Sequence, residues 1–486
     1  MSRKGSPIEG FEKKVLSYPE CYTVNNGQLV VWARYGEIPI ETPLAYILVC
    51  DASGDEISRE QLNHNMLSRD YSVVAKVAIP KDAAGVFDYF FEDTSGTVIE
   101  GAQFCVFKPP KKISGKRVAL LHPTYTWQAY CLEGGESFYR GEQFETKKVI
   151  ELDLRRDLRG LSDCHRPSTM KDFSSFLSSK GVDHSNFDSA FFNENLSVLK
   201  EFDLLVLAGH DEYLTHGMYD SIESLLKEGG SCAAFSANIL CWAVETNGHK
   251  LYVDKSHVFK PFRLPWIRKF QQRNKYVRAI VRRFEHTKCF TLLFSPETKD
   301  SRSSGQFRQP WINRQQQALF GLSYFAAGYP TSRIPKERAC TIISPEEYDQ
   351  SGNIRVLKID HPIFQDVEVE DQVLVTSNKE LLDIEVDGVF LDGDEVDHYR
   401  FADIPKNTRV LASALVNVAY ANPDKNGRVR RGLAFEELGI ISECTPFNGG
   451  GRTIQIGSVG WYKAAQEPDS NEARLTLNIV KYLLAD

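Results

Sequence analysis

The ten cysteines of this 486-residue chain are scattered singly, and none forms a Cys-x-x-Cys pair. That argues against a thiolate zinc site. Several cysteines sit in apolar runs, as at Cys50, Cys105 and Cys232, so the expectation is free, mostly buried thiols in a reducing cytoplasm. There is no apolar run of about 18 residues, so no membrane span is expected. The opening Met1-Ser2-Arg3-Lys4-Gly5-Ser6-Pro7 lacks the apolar stretch of a signal peptide. A net charge of −7 argues against general nucleic-acid binding. No G-x-S-x-G or G-x-C-x-G elbow, P-loop or Rossmann fingerprint occurs, and no internal repeat or low-complexity tract is visible.

What is present is an ordinary globular composition, 42% hydrophobic and 25% charged, with enough apolar material for a large core. Residues 20 to 108 read as β structure. Gln28 to Arg34, Ala45 to Cys50, Ser72 to Ile79 and Gly85 to Glu92 are rich in β-branched and aromatic residues. Thr94-Ser95-Gly96 marks a turn before Phe104-Cys105-Val106-Phe107. This spacing predicts a small immunoglobulin-like β-sandwich over 1–112, closed by the linker-like Lys108-Pro109-Pro110-Lys111-Lys112. From 113 to 486 strands and helices alternate, which predicts a parallel α/β domain. Its strands are Arg117 to Leu121, Phe202 to Ala208 and Ser231 to Ser236, with a weaker one at Lys148 to Leu152. Its helices are Phe173 to Lys180 and Met218 to Glu228, the latter stopped by Gly229-Gly230. Thr453 to Ser458 reads as a late strand, and Ala473 to Leu484 as an amphipathic closing helix. An insertion is expected around 255–310. Its basic stretch from Arg263 to Arg283 reads as a solvated face, with an anion or partner surface as the alternative. Asp392-Gly393-Asp394-Glu395-Val396-Asp397 has a calcium-loop look but lacks the twelve-residue ligand spacing.

Three strand ends carry chemistry. The apolar Leu205-Val206-Leu207-Ala208 stops at Gly209, and His210-Asp211-Glu212-Tyr213 follows at once. In an open parallel sheet ligands bind at the carboxyl ends of strands. An imidazole and carboxylates there can bind metal or move protons, while the plain alternative is an N-cap cluster led by Asp211. After the first α/β strand come Leu121 to Tyr130 and then Gly134-Gly135-Glu136-Ser137-Phe138-Tyr139, aromatic and polar enough for a pocket wall or for aromatic packing between domains. After Phe235 comes Ser236-Ala237-Asn238, where Asn238 orients a carbonyl or a water, or serves as a turn residue. Convergence of the three on one crevice is the expectation. Cys232 and Cys241 have no adjacent His, which disfavours a thiol nucleophile.

Thr126-Trp127-Gln128-Ala129-Tyr130, Gly134-Gly135 and Ser137-Phe138-Tyr139 resemble the signature of the N,N-dimethylformamidase large subunit family. Gly209-His210-Asp211-Glu212-Tyr213, Gly229-Gly230, Asn238, Gly457-Ser458-Val459-Gly460-Trp461 and Asn478 follow in the family's order. The likeness runs from about residue 80 to the end, with Cys131 standing where the family usually has Asn. The resemblance implies a glutamine-amidotransferase-like, flavodoxin-like α/β domain holding one Fe³⁺ through two tyrosines and a glutamate. The glutamate maps to Glu212, one tyrosine to Tyr130 and the other to Tyr89, with Tyr139 and Tyr125 as alternatives. The family's nearby His and Asn map to His210 and Asn238.

Phenolate and carboxylate are hard oxygen donors suited to Fe³⁺. A tyrosine with its ordinary pKa of about 10 needs the metal to stabilise the phenolate. The iron would act as a Lewis acid on a carbonyl and a water. His210, with Asp211 beside it, would handle protons, and Asn238 would hold the carbonyl or the oxyanion. The expected activity is hydrolysis of a small amide or a related C–N bond. A non-catalytic binding or scaffold homologue, a redox iron enzyme and a cysteine-dependent amidotransferase-like enzyme are the alternatives. A homo-oligomer and a small partner subunit are open expectations.

Overall fold

The strand Gln28–Tyr35 alternates buried and less buried residues, as a half-covered strand must. It lies between Val15–Pro19 and Ser72–Ala78 in a three-stranded antiparallel sheet. A five-stranded sheet runs in the order Thr23–Val24, Val98–Val106, Gly85–Asp93, Leu44–Cys50, Glu56–Gln61. Both sheets feed one apolar cluster that includes Leu29, Val31, Ile47, Val49, Val77, Phe87, Phe91 and Phe104.

This is a computed structural model. It describes residues 15–36, 38–62, 67, 69–110, 116–139, 147–158, 161–253, 305–307, 312, 314–328, 336–377, 381–382, 386–396, 404–417 and 435–485. The basic stretch from 263 to 283 and nearly all of the expected insertion lie outside these residues. The chain divides into two compact units, Met1–Leu205 with Thr246–Tyr252, and Val206–Glu245 with Val253–Asp486. The fold is mixed α/β with several sheets, parallel strands among them. Among the described residues no helix is long and apolar enough to cross a membrane.

The first unit continues past its β-rich segment with Val118–His122, wholly buried, parallel to His184–Asp188. The helix Thr124–Tyr130 follows the first of these strands. Asp188 caps the helix Ser189–Glu194 by accepting from the backbone N–H groups of Ala190 and Phe191. Pro167 starts the helix Pro167–Ser179, where a missing N–H costs nothing.

In the second unit Tyr213–Thr215 runs parallel to the start of Trp242–Asn247. Thr215, not Asp211, caps the helix His216–Lys227, accepting from the Met218 N–H at 3.2 Å. Ser231–Phe235 pairs in parallel with Thr453–Ile456. The sheet then turns antiparallel through Phe435–Cys444 and Arg409–Asn417. Val386–Asp392 joins it beside Phe435–Cys444. The calcium-like acidic run is a tight hairpin: Asp392 pairs with Glu395, and Gly393 takes φ 65°.

One buried carboxylate ties the second unit together. Glu443, 2% exposed, accepts from the Tyr482 hydroxyl at 2.8 Å and from Arg409, with His361 Nε2 at 3.4 Å and Arg452 at 3.5 Å. Burial pushes its carboxyl up, but His361, Tyr482 and Arg409 outweigh burial and hold it down to about 2. A depressed carboxylate stabilises the fold above its unfolded value and loses that contribution as pH falls through the folded one. Glu443→Gln should therefore cost roughly 3 kcal/mol at pH 7. In urea unfolding at a series of pH values, the gap from the unchanged protein should close between about pH 4.5 and 2. A gap that stays constant with pH would refute the assignment.

Candidate active site

The strand Leu204–Ala208 is buried throughout and ends at Gly209, which takes φ 78°, a conformation that favours glycine. His210, Asp211 and Glu212 follow at 3%, 1% and 3% exposure. Three polar side chains buried in succession need partners. The segment after Phe235 supplies part of the answer. Asn238 and Leu240 both adopt left-handed backbone, φ 53° and 50°. That turn brings the Leu240 N–H onto the Asp211 carbonyl at 2.9 Å. The N–H groups of Cys241 and Trp242 fall on the Glu212 carbonyl at 3.1 and 2.9 Å. The Trp242 indole N–H donates to Glu212 Oε1 at 3.0 Å. The structure thus brings His210, Asp211, Glu212 and Asn238 into one hydrogen-bonded pair of segments within the second unit.

Burial sets the protonation of this group. It pushes the His210 imidazole below its ordinary value, against the pull of Glu212, so His210 is neutral near pH 7. It pushes the Asp211 carboxyl well up. Among the described residues, Asp211 Oδ2 and Asn238 Oδ1 are buried with no hydrogen-bond partner. Such atoms mark a place where a ligand, a water or a proton completes the set. Burial, and then Asp211, push the Cys232 thiol up, which makes it a poor nucleophile.

The tyrosines belong to the first unit. Tyr89 is fully buried in the apolar cluster of the two β sheets, and its hydroxyl donates to Ser17 Oγ at 3.0 Å. Burial pushes its phenol well up, although the Ser17 bond opposes the shift. The ladder to Val98–Val106 slips here: Tyr89 faces Ala102 while Phe90 faces Glu100, so Gly101 is the extra residue of a bulge. A Cβ at Gly101 would lie 2.6 Å from the Tyr89 ring, so only glycine fits. Tyr89 and Tyr125 both line a cavity of about 950 Å³ within this unit, with Ser17, Asp157, Arg156 and Gln128. Tyr130, the last residue of its helix, stacks between Tyr139 and His165, ring centres 4.3 and 3.9 Å apart. Tyr130 and Tyr139 are outside the lining of that cavity.

Among the described residues no group of three or more His, Cys, Asp or Glu side chains could hold a metal ion. A metal here would need tyrosine oxygens. Two phenols and a carboxylate are hard oxygen donors of the kind that suits a trivalent ion; Tyr89 and Tyr130 belong to the first unit and Glu212 to the second. Sequence reading missed Trp242, because an indole in an apolar segment carries no pattern of its own. It also missed His165, whose neighbour Cys164 places Sγ 3.4 Å from His165 Nδ1.

A sequence model described as N,N-dimethylformamidase beta subunit-like, C-terminal, matches residues 57–472. No curated protein matches. Among solved structures, an FMN-binding beta-glucuronidase from Facaelibacterium prausnitzii L2-6 aligns at 9% identity with a TM-score of 0.18. That alignment covers 46% of this chain and 28% of the other, too loose a likeness to carry weight.

Trp242→Phe keeps a ring in place and removes the only donor that the indole offers. We expect a loss of roughly 1.5–3 kcal/mol, the usual worth of a hydrogen bond to a charged group, seen as an earlier urea midpoint. An unchanged midpoint would show that the indole does not hold Glu212.

Proposed function

The chain belongs to the N,N-dimethylformamidase beta subunit-like family, and from that premise we propose that it hydrolyses a small amide or a related C–N bond with the help of one ferric ion. The observation that carries this reading is the run His210-Asp211-Glu212, buried at a strand's mouth with Glu212 gripped by Trp242. A purely structural strand end has no use for three buried polar residues in a row.

Tyr89, Tyr130 and Glu212 would hold the ion. Bound iron would supply a Lewis acid toward the substrate carbonyl and its attacking water. The remaining work falls to the chain. His210, kept neutral by burial, can take a proton from the water and pass it to the departing nitrogen. Asn238 points an amide whose Nδ2 can donate to the carbonyl as negative charge grows on it. Burial pushes the Asp211 carboxyl up, which favours its uncharged, hydrogen-bond-donating form. Exclusion of water strengthens each of these interactions. The two β sheets of the first 112 residues would form the immunoglobulin-like sandwich. Residues 113–486 would form the glutamine-amidotransferase-like catalytic domain. The family's description as a beta subunit supports a small partner subunit, and a homo-oligomer fits the same reading. A cytoplasmic setting accords with the free cysteines.

Elemental analysis beside a visible absorption spectrum tests the metal, since tyrosinate on Fe³⁺ gives a charge-transfer band. Expected are one iron per chain and a band that vanishes in Tyr130→Phe. Glu212→Ala should lose both iron and amide hydrolysis. His210→Ala should keep the iron and turn over about 10² to 10⁴ times more slowly. Full activity in metal-free Glu212→Ala would end the proposal.

A further inference from the structure

Gly457-Ser458 has no part in the chemistry above, yet it is linked to Asn238 through Asp387. The Asp387 N–H donates to the Gly457 carbonyl at 2.9 Å, and Val386 bridges to Ser458. The approach is so close that a Cβ on Gly457 would lie 2.4 Å from the Asp387 carbonyl oxygen. The backbone of Asp387 is therefore pinned by Gly457. Its side chain is 0% exposed. One oxygen, Oδ2, accepts the Asn238 backbone N–H at 2.8 Å, the Gln455 amide at 3.1 Å and the Gln316 amide. Gln455 Nε2 also donates to the Ser236 carbonyl at 2.9 Å. That second bond fixes which way the Gln455 amide faces, since a flip would set its oxygen against two acceptors.

We propose that Asp387 is the positioning residue of the candidate site, holding the left-handed turn 236–240 and through it Asn238, Asp211 and Glu212. The turn contains two non-glycine residues with positive φ, each costing on the order of 1–3 kcal/mol and kept only where surroundings enforce it. Asp387 is the enforcement. It grips the turn at Asn238 N–H and, through Gln455, at the Ser236 carbonyl. The same turn donates from Leu240 to Asp211 and from Cys241 and Trp242 to Glu212. Asp387 touches no substrate in this scheme; it sets where Asn238 points. This rests on the hydrolase reading for its kinetic consequence, but not for its structural one.

The test uses the full chain and three forms of residue 387. Asp387→Leu fills the space and accepts nothing. Asp387→Asn keeps one oxygen that all three donors can reach. Hydrogen exchange followed by mass spectrometry reads the segment 236–242, and hydrolysis of N,N-dimethylformamide and other N-substituted formamides reads the site. Asp387→Leu should speed exchange in 236–242 at least about tenfold while the strands Arg409–Asn417 and Phe435–Cys444 stay protected. Its kcat should fall about a hundredfold, with KM within about threefold. Asp387→Asn should restore most of both. Should the leucine form not fold, Asp387→Ser, too short to span three donors, takes its place. Unchanged exchange in 236–242, or exchange rising throughout the unit, would overturn the proposal, as would unchanged kcat in Asp387→Leu. If the unaltered protein hydrolyses none of these amides, the hydrolase reading fails, and the exchange result still decides the role of Asp387.

Discussion

Desolvation governs this molecule's candidate site. His210, Asp211 and Glu212 lie where water does not reach them, and a polar group taken out of water costs stability until another group meets it. Almost every notable contact nearby answers that demand. The Trp242 indole goes to Glu212, the 240–242 backbone goes to the Asp211 and Glu212 carbonyls, and Asp387 goes to the turn that supplies them. Among the described residues the demand is left open at Asp211 Oδ2 and Asn238 Oδ1. Structure and proposed chemistry thus share one cause.

The same logic separates the two carboxylates that matter most. Glu443 is buried with cations and donors around it, which hold its carboxyl down to about 2 and keep it charged at neutral pH. Asp211 is buried without them, and burial drives its proton on. Burial acts on both, but only Glu443 has partners that reverse its effect. Environment, not residue type, assigns the role.

Much of this was legible in the sequence, and the limits have physical reasons. The apolar run ending in Gly209 announced a strand end, and the structure places Leu204–Ala208 there. Gly181 and Gly229-Gly230 marked helix ends correctly, because left-handed backbone after a helix favours glycine. The closing helix was expected to begin at Ala473 and begins at Asn471 behind its Ser470 cap. Local patterns report local constraints, so contacts distant in sequence stayed hidden. Asp387 lies 149 positions from the Asn238 it holds. His165 meets Tyr130 across a segment of no regular spacing. Arg409–Asn417 and Phe435–Cys444 carry mostly buried residues on both faces, so they lack the period-two signal of a half-covered strand. The acidic hairpin at Asp392 looked like a cation loop because turns and calcium loops draw on the same residues, Asp and Gly.

The bulge at Gly101 adds a genetic dimension. Side chains on a strand alternate faces, so one residue more or less reverses inside and outside for everything beyond it. Gly101 is that one residue more, left unpaired between Ala102, which faces Tyr89, and Glu100, which faces Phe90. Losing a single codon there would restore a regular ladder and reverse inside and outside along one end of Val98–Val106, while Tyr89 keeps its place on Gly85–Asp93. An in-frame deletion in a β hairpin can turn a buried strand face outward where every remaining codon is unchanged.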